Sequence, residues 1–239
     1  MKNKIALGCV VVLVGWLAVT YFQLEYQEKG RTLVTNAYYA DLLAVKDDVE
    51  GGAPLDYTFY FQDDERQYHG VWFNALQAAA SGGNEDIINF LLDQGFNINT
   101  QTPDGWTPLF IAARDGRAEA AKLLIYRGAD LNLQTNQGAS ALLMVLTQPF
   151  PTEKERIDLL VYLLRRGGNP NLPDKRGFSP LYYAMLSGKY ELVEWLLEYD
   201  ADPTTPLIER TLNYLEEQHT PEAKKITALV KKRLRKLKK

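Results

Sequence analysis

The chain has a single cysteine, Cys9, and two histidines, His69 and His219. One cysteine excludes an intramolecular disulfide, so the fold cannot lean on oxidative cross-links. Two histidines on separate segments, with no cysteine at ligand spacing, exclude a His- or Cys-based zinc centre and a histidine-centred catalytic cluster. There is no Gly-rich phosphate loop, no G-x-S-x-G turn and no H-E-x-x-H helix. Asp63, Asp64 and Glu65 form a short acidic run, which without histidine partners reads as a solvated loop. No catalytic residue, cofactor site or metal site is assigned.

What is present is ordinary in bulk and uneven in detail. Of 239 residues, 46% are hydrophobic and 24% charged, as in a globular protein. The net charge of −3 conceals an asymmetry. Lys224 to Lys239 holds nine of the 27 Lys and Arg residues and no acid, leaving 18 basic against 30 acidic side chains before it, a balance of −12. The chain is an acidic body with a basic tail.

Ile5 to Phe22 carries no charge. As a helix it would be about 27 Å long, close to the hydrocarbon thickness of a bilayer. Trp16, Tyr21 and Phe22 lie toward its far end, where an aromatic belt sits, and Lys2 and Lys4 precede it. Residues 1–22 are therefore expected to be an uncleaved signal anchor with the body exported. The short basic start favours a bacterial envelope, with the body in the periplasm and the anchor in the inner membrane. A soluble periplasmic protein after signal cleavage is the alternative. It is disfavoured by a poor A-x-A pattern and by bulky residues at the cleavage zone.

The body repeats itself. Asn74 to Gly83 returns as Thr107 to Gly116, as Ser140 to Leu146 and as Ser179 to Gly188. A second phrase follows each copy, built on Leu91-Leu92, Leu123-Leu124, Leu163-Leu164 and Leu196-Leu197. These phrases close at Gly95, Gly128, Gly167 and Asp200, spaced 33, 39 and 33 residues apart. A fixed period of this length means stacked units that cannot bury their apolar faces alone. Four units are expected, at about 70–102, 103–135, 136–174 and 175–207. Each reads as turn, short helix, turn, longer helix. Asn74, Thr107, Ser140 and Ser179 are the N-caps, and Pro108 and Pro180 take the first helical position. The third unit carries six extra residues around Pro149 and Pro151. Residues 23–69 read as a junction and a degenerate N-terminal cap, in which Leu33, Ala37, Ala40, Leu43 and Ala44 fall at helical spacing. Asp56 to Glu65 is an aromatic-to-acidic insertion, either an extended hairpin or a surface loop. Residues 208–239 read as a helical C-terminal cap with the basic tail.

Asp104 to Gly116, Arg127 to Asn132, Lys175 to Leu181 and Asp200 to Pro203 together resemble the ankyrin repeat family. The resemblance covers about residues 70–207. It implies an all-α helical repeat solenoid with short hairpin fingers, to which the N-terminal transmembrane helix is added. The family pattern has a histidine after its T-P-L; here Gln77, Phe110, Leu143 and Tyr182 stand in that place, so the bonds of that histidine are absent or replaced.

The resemblance also implies protein–protein contact through the fingers and the concave face of the first helices. The fingers are residues 99–105, 132–138 and 171–177. Trp72, Trp106 and Phe178 lie next to finger segments, and on the first helices Ile111, Arg114, Asp115, Tyr183 and Leu186 are the positions least committed to the core. These eight form the expected partner-binding set, since aromatic and Arg side chains dominate interface energetics. Packing of Trp106 and Phe178 against neighbouring fingers is the structural alternative. The expected function is a non-enzymatic adaptor, monomeric and tethered to the membrane through Ile5 to Phe22. Narrower versions are an immunity or inhibitor protein acting on an envelope toxin or enzyme, and an accessory factor for an envelope enzyme such as one of oxidative-stress defence. The basic tail reads as a solvated face, as a contact for anionic lipid, or as a site for an acidic partner. Nucleic acid is not expected.

Overall fold

The computed structural model describes residues 2–63 and 68–237, with side chains described for 19–60 and 72–237. Among the described residues, twelve helices and one hairpin follow in order: α1 (Lys2–Tyr38), α2 (Leu42–Glu50), β1 (Phe59–Asp63), β2 (Tyr68–Phe73), α3 (Ala75–Gly82), α4 (Glu85–Asp93), α5 (Pro108–Arg114), α6 (Ala118–Tyr126), α7 (Ala141–Thr147), α8 (Glu153–Arg165), α9 (Pro180–Leu186), α10 (Tyr190–Glu198), α11 (Pro206–Gln218) and α12 (Pro221–Leu237).

The helices stack in two layers. An inner row runs α1, α3, α5, α7, α9, α11, and an outer row runs α2, α4, α6, α8, α10, α12, each packed on its neighbours in the row. Alanines let the inner row close up: Ala78, Ala79, Ala80, Ala112 and Ala113 are fully buried. The outer row contributes Leu91, Leu124, Leu163 and Leu196 to one core that runs unbroken from Leu33 to Val230. Burial of this kind, shared between units, is what holds a repeat array together.

Local chemistry sets the helix ends. Thr107, Ser140 and Ser179 accept hydrogen bonds from the amides of Phe110, Leu143 and Tyr182. Asn74 and Gln77 form a reciprocal capping box, which satisfies two of the donors a helix start leaves open. Gly95, Gly128 and Gly167 end the outer helices at positive φ, and Asp200 holds the same place with φ 62. Aspartate is among the few residues that enter this region without glycine's freedom.

Three expectations need correction. The fold is mostly helical but not all-α: β1 and β2 pair antiparallel, with Phe59 opposite Phe73 and Tyr60 opposite Trp72. The aromatic residues of this insertion favour a pleated strand over a helix, and the segment assigned to the first unit opens in strand β2. Second, the anchor region and the cap share one continuous helix. Leu33, Val34 and Ala37 of α1 are buried against α3, but Ala40 leaves the helix at φ 68 and Leu43 is 75% exposed. Asp41 then caps a new helix, accepting from the Ala44 amide at 3.0 Å. Third, Ile111, expected to be among the positions least committed to the core, is fully buried. Most of the run from Ile5 to Phe22 lies outside the residues whose side chains are described. Among the described residues, no helix is long and apolar enough to cross a membrane.

Candidate functional site

The fingers are tight turns stitched to one another. In each, a threonine or aspartate amide bonds the carbonyl four residues on: Thr102 to Trp106, Thr135 to Ala139, Asp174 to Phe178. The next finger is tied on by the Asn136 amide to Asp104 O at 2.9 Å and the Lys175 amide to Gln137 O at 3.0 Å. Gly138 permits this approach. Its φ is 76, and a Cβ there would lie 2.7 Å from the Lys175 nitrogen.

A row of asparagines pins the base of the fingers. Asn99, Asn132 and Asn171 accept from the amides of Asp130, Asn169 and Asp202 in the following unit, at 2.9, 2.8 and 2.7 Å. Their signal in the sequence is recurrence in phase with the repeat, each opening a finger segment. Gln77 resolves the two readings open at the histidine position. Its side chain is 1% exposed. It accepts from the Asn74 amide at 2.9 Å and donates to Thr100 O and Trp106 O at 3.3 and 3.2 Å. The bonds missing with the family's histidine are thus replaced in the first unit. In the later units the position is filled by packing, with Phe110 against Trp106 and Tyr182 stacked on Phe178 at 4.5 Å.

Two clusters form on the inner face. In the first, the Arg114 guanidinium lies over the Trp106 ring at 4.4 Å. Its Nε meets Asp115 Oδ1 at 2.9 Å, and Ser81 donates to the other Asp115 oxygen at 2.9 Å. In the second, Asp174 accepts from the Arg176 and Phe178 amides, from the Tyr183 hydroxyl at 2.8 Å and from Arg176 Nε at 3.1 Å. The Arg176 guanidinium also donates to the Tyr183 hydroxyl and lies 4.9 Å over the Phe178 ring. Burial pushes the Asp174 carboxyl up. The Phe178 amide, the Tyr183 hydroxyl and Arg176 outweigh it and hold it below the ordinary value. Burial, then the bond to Asp174, pushes the Tyr183 phenol up, so it stays a neutral donor. Beside this cluster opens a groove of about 510 Å³, lined by Met144, Thr147, Gln148, Gln137, Arg176 and Tyr183 among others.

The expected set is thus divided. Trp106, Arg114 and Asp115 come together, as do Phe178 and Tyr183. Trp106 and Phe178 are half-buried and pack within their own units. Trp72 sits apart on the hairpin, 45% exposed and paired with Tyr60 at 5.3 Å. Leu186 is exposed at the last turn of α9. Ile111 is fully buried. With no exposed surface it offers nothing to a partner, so it is withdrawn from the binding set. Asp174, Arg176 and Met144 were missed, because only the fold brings a finger tip beside the preceding inner helix. Among the described residues, no three His, Cys, Asp or Glu side chains gather as metal ligands.

A family model of ankyrin repeats in three copies matches residues 55–135 and 152–207, more than half of the chain. The chain belongs to the ankyrin repeat family. It is 31% identical over 131 residues to a putative ankyrin repeat protein of fowlpox virus (strain NVSL), a match covering 54% of this chain and 29% of the viral protein. It is 29% identical over 127 residues to the "Ankyrin repeat, SAM and basic leucine zipper domain-containing protein 1" of Dasypus novemcinctus, covering 53% of this chain and 26% of that protein. The human protein of the same name is 28% identical over 118 residues, with 49% and 24% covered. The chain thus spans less than a third of the length of these relatives. Ankyrin repeats are protein-interaction modules, typically without enzymatic activity.

Proposed function

We propose that this chain is a membrane-tethered, non-enzymatic docking protein whose partner seats in the groove beside Asp174, Arg176 and Tyr183. The carrying observation is that network. It holds an Arg and a Tyr in fixed orientation at the rim of a groove floored by Leu143 and Met144. Preorganised Arg and Tyr beside apolar surface have the composition of interface hot spots. Trp106 and Arg114 extend the surface two inner helices away, roughly 16–20 Å at about 8–10 Å per helix step. Tethering rests on the uncharged run from Ile5 to Phe22 and on the aromatic residues at its end. The weak excess of Lys before the run favours a periplasmic body.

Photo-crosslinkers placed at Arg176 and at Tyr126, an exposed position on the outer row, test the docking face in intact cells. A discrete adduct at Arg176 and none at Tyr126 is expected. The adduct should weaken in a Trp106→Ala, Arg114→Ala double variant. Equal adducts at both positions would overturn the assignment of the face. Tethering is tested by alkaline carbonate extraction, and release of the chain into the supernatant would refute it.

A further inference from the structure

The structure carries a second surface, on the last helix. At 100° per residue, Ile226 and Val230 of α12 point into the stack and are fully buried. The opposite arc holds Lys224, Lys225, Lys231, Lys232, Arg235 and Lys236 around one small residue, Ala228. No acid interrupts this arc. Lys231 pairs with Glu216; among the described residues, the other five have no ion-pair partner. Shallow grooves flank Ala228 on either side, one reaching Lys224 and Arg235, the other Lys225 and Lys232.

The direction of the helices places this surface. The Ala37 carbonyl of α1 accepts from Asn84, just past the end of α3, and the Tyr38 carbonyl stands beside Gly82. The two helices therefore run parallel. The start of α1 leaves the stack on the finger side, where Tyr26 donates to Asp56 and Lys29 to the Gly51 carbonyl. At the far end, the Arg233 guanidinium in the last turns of α12 pairs with Asp200. Asp200 in turn receives Asn171, at the base of a finger. The basic end of α12 and the exit of the apolar run thus share one edge of the molecule. They are separated by five inner-helix steps, roughly 40–50 Å at about 8–10 Å per step.

We infer that the C-terminal end of α12, with Lys232, Arg235 and Lys236, rests on the anionic headgroups of the bilayer that holds the N-terminal run. The two contacts together lay the long axis of the stack along the membrane. This rests on the tethering reading above. A lipid surface fits better than nucleic acid because the cations lie on the edge from which the apolar run emerges. The tether also supplies a high local concentration at that surface. Each Lys or Arg brought to an anionic leaflet strengthens attachment about fivefold, and the effect fades with salt.

The test uses the full chain in a Cys9→Ser background, with a dye on Leu237→Cys, at the finger edge, or on Gln218→Cys, at the opposite end of the α11–α12 pair. Both positions are exposed. The protein is reconstituted into vesicles carrying a headgroup quencher. With phosphatidylglycerol present, quenching at 237 should exceed that at 218 several-fold. The difference should shrink in phosphatidylcholine alone, in high salt, and when Lys232, Arg235 and Lys236 are all changed to Gln. Vesicle-bound protein with equal quenching at 237 and 218 would overturn the edge contact while sparing the tether. Displacement of the 237 end by a duplex oligonucleotide would overturn the lipid assignment. Protein that fails to float with vesicles would overturn the tether and this inference with it.

Discussion

Replacing Gln77 by Leu isolates what the polar bonds at this site contribute. The equivalent position in the third unit is Leu143, 2% exposed, so leucine fits the site sterically and the loss should come from hydrogen bonding. Gln77 makes three such bonds. The Trp106 carbonyl keeps a second partner, the Thr102 amide at 3.0 Å, and should suffer little. The Asn74 amide and the Thr100 carbonyl lose the partner each has. A buried polar group left unmet costs about 1–3 kcal/mol; Asn74 is buried and Thr100 part-buried, so with the gain of apolar contact the loss is about 2 kcal/mol. For a stack of this size that corresponds to a fall in melting temperature of about 4–8 °C. Urea unfolding followed by circular dichroism measures the loss. Amide hydrogen exchange at residues 100–106 should rise before that of the α9–α10 units, because a repeat array opens locally. Gln77→His, which restores ring donors and acceptors, should recover much of the difference. A Gln77→Leu variant within about 1 kcal/mol of the parent, with unchanged exchange, would refute the claim that this glutamine replaces the family's histidine.

Other expectations follow from the same contacts. Gly138→Ala combines a left-handed backbone with a clash at Lys175 N and should cost at least about 2 kcal/mol. Gly177→Ala has a similar φ but open space around its Cβ position, so chemical denaturation should show a loss nearer 1 kcal/mol. Arg156 is 7% exposed, and its guanidinium donates to the Val145 carbonyl at 2.7 Å and lies over Phe150. Arg156→Ala should destabilise by about 2–3 kcal/mol and open the Pro149–Pro151 insertion to limited proteolysis. Asp174 has a carboxyl lowered in the folded chain, so its contribution is full above the unfolded value of about 3.9 and is lost as pH falls through the lower folded value. The stability gap between the parent and Asp174→Asn should therefore be constant from neutral pH down to about 5 and close below about 4. A gap that widens in acid would contradict the bonding around that carboxyl.

The repeat architecture was legible in the sequence because its signals are local. A 33-residue period, polar caps at Thr107 and Ser179, prolines at the first helical turn and glycines at positive φ each act within a few residues, and each lands where the pattern puts it. The family resemblance followed from the same residues. The docking groove was not legible, because Asp174 and Arg176 meet Tyr183 and Met144 only after a finger folds over two inner helices. Ile111 shows the converse: its place in the phrase is known, but its burial depends on how closely the neighbouring helices approach. The hairpin of residues 59–73 was one of two readings open to the aromatic insertion, whereas the break at Ala40 falls inside a run of helical spacing and was not legible. The common edge of the apolar run and the basic tail is likewise a property of helix direction, since residues two hundred positions apart share a surface only through the parallel stacking of the inner row.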